Sequence, residues 1–573
     1  MKAKAGLCAA AAALAWVAAG AHRARPAART ASPGPPFRVR GAPHVHTAFS
    51  ADATGSVDDV ARAARASGLQ FVVITDHNSQ AALPAAGYRE GVLVVCGLEK
   101  STDAGHALVL GTGALPFGLD GDPVEVARDA VRFGGFVVAA HPASPDRELR
   151  WSAGWDGIDA IEVLNFGQPG SWPHGAAAVP LIGRYALDPG AALLHGFAFS
   201  REALERWDRV LGDRPVAGLL GSDAHGGLRA GPVMVPAPDH RRIFALASQY
   251  LLLAEPLTGD AARDTRRLLD ALREGRGYLG VDALGDASAF SFEATSPGSR
   301  AGPGEELPLT GPARLVAESG GVSGARLVLL RDGHAVAEGA RIEYVANQPG
   351  VYRVEGFLDD APMGPGPDLL PWIVSNPVYL FPADELAARR RRRAPPATPA
   401  RPAGRLEVVD DFTRPTGAEW QVDRDDGAAG ARHDDGGALR FDFRLGPHAP
   451  THADLVRWSP LDLSRAAALA LRVRGDRPLR FDLQVRTAWP GHTPPLRTWR
   501  RSVRAEPEWT DVALALDTLK TYDHEPGAPD LAHVVGLYVH VDESNLAPGS
   551  SGTLWIDDLA LVRAVETPAP VLR

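Results

Sequence analysis

Histidines and carboxylates able to hold a metal recur along one stretch of the chain, from His44 to His225. The first pair, His44-Val45-His46, has i, i+2 spacing, which in a strand turns both imidazoles to one side. Thr75-Asp76-His77-Asn78 follows, then Glu99, His106 and Ala140-His141-Pro142. Asp223-Ala224-His225 closes the series, again at i, i+2. Imidazole and carboxylate are the donors that zinc, manganese and iron accept. Taken singly, each residue reads as a satisfied polar group at a strand end. Taken together they do not, because packing so many histidines and acids without a cation leaves charges in need of partners. The chemistry of such a cluster is hydrolysis. Divalent metals bring the pKa of bound water toward roughly 7, so that hydroxide is available to attack phosphorus or a carbonyl carbon. The same metals neutralise charge on the transition-state oxygens, and no Ser or Cys nucleophile is required.

These residues need elements to position them. Phe71-Val72-Val73-Ile74 is a near-continuous apolar run, as are residues 93–96, 136–140, 158–164 and 216–220. Such runs suit parallel strands covered on both faces. Helical segments lie between them. Ser56 is an N-cap with Asp58 and Asp59 in the first turn; Val57, Val60, Ala61 and Ala64 share a face, and Gly68 can end the helix. Further helices are expected over residues 123–133, 200–211 and 260–273. Alternating strands and helices mean an α/β fold, either a barrel or a doubly wound sheet. Nearly every expected strand ends in His, Asp or Glu, and this favours the barrel, whose active-site face is the C-terminal one.

Lys100, Arg184 and Arg229 lie near the motif segments and could bind an anionic group; solvated surface charge is the plain alternative for each. Glu162, Asn165 and Trp172 are pocket candidates without an assigned place.

The remainder of the chain has a different character. Residues 285–381 alternate as antiparallel strands, with Arg331-Asp332-Gly333-His334 as a hairpin turn, and form a small β domain. Residues 382–404 contain five consecutive arginines, 389–393, before a Pro/Ala-rich run, and read as an exposed linker. Residues 405–565 alternate again and read as a β-sandwich, followed by a tail over 566–573. The sandwich is either a glycan-binding module, with Trp489 and Trp499 as stacking candidates, or a spacer.

The chain has 573 residues, with a net charge of −9 and a pI near 6.1, which argues against a protein that coats nucleic acid. Residues 1–21 begin with Lys2 and Lys4, continue through an Ala-rich apolar run and end in Ala19-Gly20-Ala21. They read as a signal peptide for export, with an uncleaved N-terminal anchor as the alternative; residues 22–36 are a tether. No later run is apolar enough to span a membrane. The only cysteines are Cys8 and Cys96, and Cys96 lies in an apolar run where it reads as a buried core thiol.

The ordered motifs His-x-His, Thr-Asp-His, Glu, His, Ala-His-Pro and Ser-Asp-x-His resemble the PHP family, named for polymerase and histidinol phosphatase domains. The resemblance covers residues 37–284. The segment from Pro371 to Tyr379 further resembles the CehA/McbA-like branch, and the last domain resembles a galactose-binding or carbohydrate-binding jelly roll. The resemblance implies a distorted (β/α)7 barrel with two or three divalent metals (Zn, Mn or Fe). Carried over, His44, His46, Glu99 and Asp223 hold the first metal. Glu99 bridges to a second with His106 and His141, and Asp52, His77 and His225 hold a third; Asp76 orients a neighbouring imidazole. The implied reaction is hydrolysis of a small-molecule ester by a metal-bridging hydroxide, with a phosphomono- or diester foremost. The alternatives are a carbamate or aryl-ester substrate on the same site, and a non-catalytic glycan-binding surface protein. A DNA-proofreading role is opposed by the leading segment and the acidic balance.

Overall fold

The structure is a computed structural model that describes residues 36–167, 184–185, 187–197, 199–230, 233–235, 238–359, 369–395, 404–414, 419–488, 491, 496–521 and 527–563. The expected signal segment, Trp172 and Trp489 fall outside these ranges. The chain divides into two compact units, residues 1–114 with 121–396, and residues 115–120 with 397–573.

The first unit opens with β1 (Phe37–Val45), α1 (Val57–Ala66), β2 (Phe71–Ile74), β3 (Gly87–Arg89), β4 (Val92–Cys96), β5 (Leu98–Thr102) and β6 (Gly105–Leu110). It continues with α2 (Pro123–Arg132), β7 (Phe136–Ala139), β8 (Ala160–Asn165), α3 (Pro189–Gly196), α4 (Glu202–Asp213) and β9 (Ala217–Gly221). Then follow β10 (Leu228–Ala230), β11 (Val233–Val235), α5 (His240–Phe244), β12 (Ser248–Leu253), α6 (Ala261–Glu274) and β13 (Gly277–Gly280). The apolar runs β2, β4 and β7 are buried at every residue, as strands covered on both faces must be. Helix α1 starts as expected: Ser56 Oγ accepts from the Asp59 amide, and the Asp59 carboxylate accepts from the Ser56 amide. Its buried face is Val57, Val60, Ala61 and Ala64. Cys96 is buried, and burial pushes its thiol up to about 12, as a core thiol requires.

Two sheets carry the site. In the first, β1 pairs parallel with β2, and β2 parallel with β4. In the second the order is β5-β6-β7-β8-β9. They meet twice. The Asn78 amide donates to Glu99 O (2.7 Å) and the Glu99 amide to Asp76 O (3.1 Å), joining the end of β2 to β5. The Asp223 amide donates to His44 O (2.6 Å) and the His46 amide to Ala224 O (3.0 Å), joining the end of β9 to β1. The pairings therefore return to β1. Regular strand–helix alternation does not hold, however. Strands β4, β5 and β6 follow one another without a helix, and β5–β6 and β6–β7 are antiparallel. The connection from Thr102 to Gly105 is too short for a parallel crossover, which needs a dozen or more residues.

The small β region is not set apart from this unit. Strand Ile373–Ser375 pairs with β13, so its sheet is continuous with that of β1. Arg353 fixes it further: its guanidinium donates to both Asp208 carboxylate oxygens (2.7 and 2.6 Å) and to Glu355 (2.8 Å), over the Trp207 ring. The hairpin Arg331–His334 forms as expected, with Asp332 and Gly333 both at positive φ, as a type I′ turn demands. The arginine run corrects the linker reading. Helix α7 (Ala383–Arg391) has acids in its first turn and arginines in its last, matching the helix dipole. Arg389 is buried over the Phe381 ring and donates to the Leu211 and Gly212 carbonyls.

The second unit is a β-sandwich. One sheet contains Arg405–Asp410, Ala429–Asp435, Ala438–Arg444, Ala466–Gly475, Thr510–Ala515 and Ser551–Arg563. The other runs Trp420–Arg424, His452–Arg457, Val534–Asp542, Leu479–Ala488, Leu496–Ala505. Trp499 is buried and donates Nε1–H to Thr487 Oγ1, so it is not an exposed stacking platform. Among the described residues no helix is long and apolar enough to cross a membrane.

Candidate metal centre

Every donor in the cluster except Asp52, which lies on the loop after β1, sits on a strand of the first unit or just past its end. His44 is the penultimate residue of β1 and His46 follows the strand; Asp76 and His77 follow β2; Glu99 is in β5 and His106 in β6. His141 follows β7, and Asp223 and His225 follow β9. His44 and His46 do not converge by a flat pleat. The β1–β2 register shifts between Ala42 and Val45, and His44 takes φ 60°. The two rings still face one point, with centroids 5.0 Å apart. His141 (φ 28°) and Asp223 (φ 49°) are also left-handed, a strained state that non-glycine residues hold chiefly where surroundings and function enforce it.

His44 Nε2 lies 3.1 Å from Glu99 Oε2 and 3.4 Å from Asp223 Oδ1; His46 Nε2 lies 3.2 Å from each. Four donors around one ion at about 2.0–2.2 Å would stand about 3.3–3.6 Å apart in a tetrahedron. The four observed separations, 3.1–3.4 Å, lie at or just below that spacing. Glu99 turns its other oxygen, Oε1, to His106 Nδ1 (2.9 Å) and His141 Nε2 (3.0 Å). Asp52 Oδ2 lies 3.3 Å from His77 Nε2 and 3.6 Å from His225 Nε2. His77 Nδ1 is 3.0 Å from Glu99 Oε2 and thus ties the third group to the first. His44 Nε2, His46 Nε2, His77 Nδ1 and Glu99 Oε2 are buried with no hydrogen-bond partner. Orphaned ligand atoms aimed at one another are costly unless a cation sits among them.

The outer nitrogens explain which atoms point inward. His44 Nδ1 is 2.7 Å from Glu162 Oε1, His141 Nδ1 is 3.2 Å from Leu149 O, and His225 Nδ1 is 2.9 Å from Asp223 O. His46 Nδ1 is 3.1 Å from Ser50 Oγ, whose own proton goes to Asp76 Oδ1 at 2.8 Å. In all four cases an acceptor outside takes the Nδ1 proton and leaves the Nε2 lone pair for the cluster. Asp76 thus orients an imidazole through Ser50 and touches none directly; it also accepts from Thr47 N (2.7 Å) and Thr47 Oγ1 (2.8 Å). Glu162 is the residue whose role the sequence did not reveal. Its Oε2 further accepts from the His141 amide (2.8 Å) and Asn165 Nδ2 (2.9 Å). The signal was a lone carboxylate in the apolar strand Ala160-Ile161-Glu162-Val163-Leu164.

The electrostatics show the same need for positive charge. Burial opposes a charge on His44, yet the Glu162, Asp223 and Glu99 carboxylates hold it well above the usual histidine range. Against burial, Asp52 and Glu99 push His77 up to about 10. His141 and His225 are also raised against burial, by Glu99 and Asp52 respectively. Glu99 and Asp223 are held well below the carboxylate range despite burial, with His44 the leading charge in both cases. Protons on imidazole occupy the place that divalent charge would take.

The proposed anion-binding cations fare differently. Strand alternation in β5 sends Lys100 to the face opposite Glu99. Arg184 is buried. The Arg229 side chain lies outside what the structure describes.

Residues 43–111 match the family model of the PHP domain. No curated protein matches the chain. Among solved structures, the family 11 carbohydrate-binding module of a cellulosomal cellulase of Clostridium thermocellum is 14% identical, over 29% of this chain and 100% of that one, with a TM-score of 0.24. The family 30 module of another cellulosomal cellulase of Clostridium thermocellum is 14% identical, over 29% and 89%, with a TM-score of 0.19. An agarase is 10% identical, over 28% and 25%, with a TM-score of 0.22. Likenesses this low assign no ligand to this chain. The donors from His44 to His106 fall within the matched segment, and His141, Asp223 and His225 lie beyond it.

Proposed function

We propose that the first unit is a metal-dependent phosphoesterase with two or three divalent cations, acting outside the cytoplasm. The export part of this reading rests on the composition of residues 1–21. The observation that carries the hydrolase reading is the set of outward-anchored imidazoles whose Nε2 lone pairs meet Glu99 and Asp223 at one point. His44, His46, Glu99 and Asp223 would hold one cation; Glu99, His106 and His141 a second; Asp52, His77 and His225 a third. Bound there, the cations supply Lewis acidity and a water acidic enough to act as nucleophile near neutral pH. The chain's own part is orientation. Glu162, Ser50 and the Leu149 carbonyl fix the imidazole tautomers, and the buried walls exclude bulk water from Glu99 and the His44 pair. The hydrolysis of a phosphomonoester and a phosphodiester by chelated and metal-reloaded protein tests the reading.

One observation favours the carbamate or aryl-ester alternative. Phe49 is 52% exposed on the loop between His46 and Asp52, where an aromatic substrate could stack. On that reading Phe49→Ala raises KM for an aryl carbamate several-fold and leaves a small phosphate ester unchanged. For the sandwich we propose glycan attachment, now resting on Trp458, which is 49% exposed beside Tyr538. Retention on a polysaccharide column that Trp458→Ala abolishes supports it, and the absence of retention by the parent chain leaves the sandwich a spacer.

A further inference from the structure

The sandwich places a second set of metal-binding side chains on its five-stranded sheet. Asp423, in Trp420–Arg424, lies directly across from Asp454, in His452–Arg457, and Asp454 lies across from His540, in Val534–Asp542. His452 precedes Asp454 by two residues and shares its face. One ligand atom from each of Asp423, His452 and Asp454 falls within 4.8 Å of the others. His452 and Asp454 are not hydrogen-bonded, since Nε2 stands 4.0 Å from Oδ2.

The anchoring repeats what the N-terminal cluster shows. His452 Nδ1 lies 2.8 Å from Asp425 Oδ2, so the carboxylate takes the Nδ1 proton and Nε2 keeps its lone pair. His540 occupies Asp454 Oδ1 at 2.7 Å and turns its other nitrogen to Asp542 at 3.2 Å, which leaves Asp454 Oδ2 for the group. A separate observation lies in the same row. Asp482, across from His540, is fully buried, and although Arg500 reaches its Oδ2 at 3.1 Å, its Oδ1 has no hydrogen-bond partner. Asp482 lies beyond His540 from the group and is not one of its donors.

We propose that Asp423, His452 and Asp454 form a divalent-cation site on the sandwich, with Asp425 orienting His452. One imidazole and two carboxylates suit zinc or manganese better than calcium or magnesium, which take oxygen alone. Asp423 is exposed, so the site opens to solvent and can admit a further oxygen ligand. The arrangement that needs no cation is an imidazolium at His452 paired with Asp425 and Asp454.

The test uses the full chain, stripped with a chelator, reloaded with zinc, desalted and analysed for zinc per chain. Asp423→Asn and His452→Gln are each expected to hold one zinc fewer than the parent, with hydrolysis at the N-terminal cluster unchanged. Circular dichroism checks folding, and Asp423→Asn, at an exposed position, decides the matter if His452→Gln does not fold. Zinc content equal to the parent's in the folded variants overturns the proposal in favour of the imidazolium pair.

Discussion

Replacing Glu162 by Gln probes the orientation argument with almost no change of shape. Glu162 Oε2 serves two donors, the His141 amide and Asn165 Nδ2, while Oε1 faces His44 Nδ1 at 2.7 Å. A glutamine has one acceptor oxygen. If that oxygen keeps the two donors, its NH2 group faces His44 Nδ1 and forces the proton onto Nε2, the atom that should bind metal. Loss of such an outer partner typically lowers metal affinity or activity by about 10–100-fold, equivalent to about 1.4–2.8 kcal/mol. Glu162→Gln should therefore weaken cation binding by that factor, and it should also lower the metal-free melting temperature, because it removes the carboxylate that does most to raise His44. Glu162→Ala should do more, because it strands three buried donors at about 1–3 kcal/mol each. Chelator-competition calorimetry measures the first effect and thermal melting the second. Affinity within twofold of the parent in Glu162→Gln would refute the tautomer argument.

Further outcomes follow from the same geometry. The raised imidazoles, with His77 at about 10, contribute stability to metal-free protein that is fully present below about 6.5 and lost as pH rises through their folded values. The lowered Glu99 and Asp223 contribute stability that is present above about 4 and lost as pH falls, so the melting temperature of chelated protein should decline toward both extremes. Cations compete with those protons, so affinity should strengthen from pH 6 to pH 8, with proton release visible as a buffer-dependent enthalpy. Asp52→Asn should weaken only the cation shared with His77 and His225, read as one weak site in a titration of otherwise intact protein. Arg353→Met leaves the Asp208 and Glu355 carboxylates without their buried partner and should cost about 3–5 kcal/mol in denaturant unfolding.

Nine candidate donors from His44 to His225 lie in one cluster of contacts, because donor type and position survive folding. Strand ends were legible for the same reason, since apolar runs such as Phe71–Ile74 stop where polar residues begin. What was hidden depends on non-local partners. The left-handed backbone at His44 follows from pairing with residues near Asp223, far along the chain. Glu162 reads as a stray acid until β8 is laid beside β7 and β9. Arg389 looked exposed by composition, yet the carbonyls ending α4 and the Phe381 ring supply its partners. The antiparallel β5–β6 pairing comes from a tight turn, between Thr102 and Gly105, whose consequence for the expected barrel needs the neighbouring strands in view.

The most direct test of the central claim is hydrolysis by the full chain, chelated and then reloaded with manganese or zinc, of a phosphomonoester, a phosphodiester and an aryl carbamate side by side. The expected result is turnover of a phosphate ester that disappears on chelation, returns on reloading and cannot be restored in His44→Ala. Turnover that survives both chelation and His44→Ala, or a reloaded chain that hydrolyses none of the three, would contradict it.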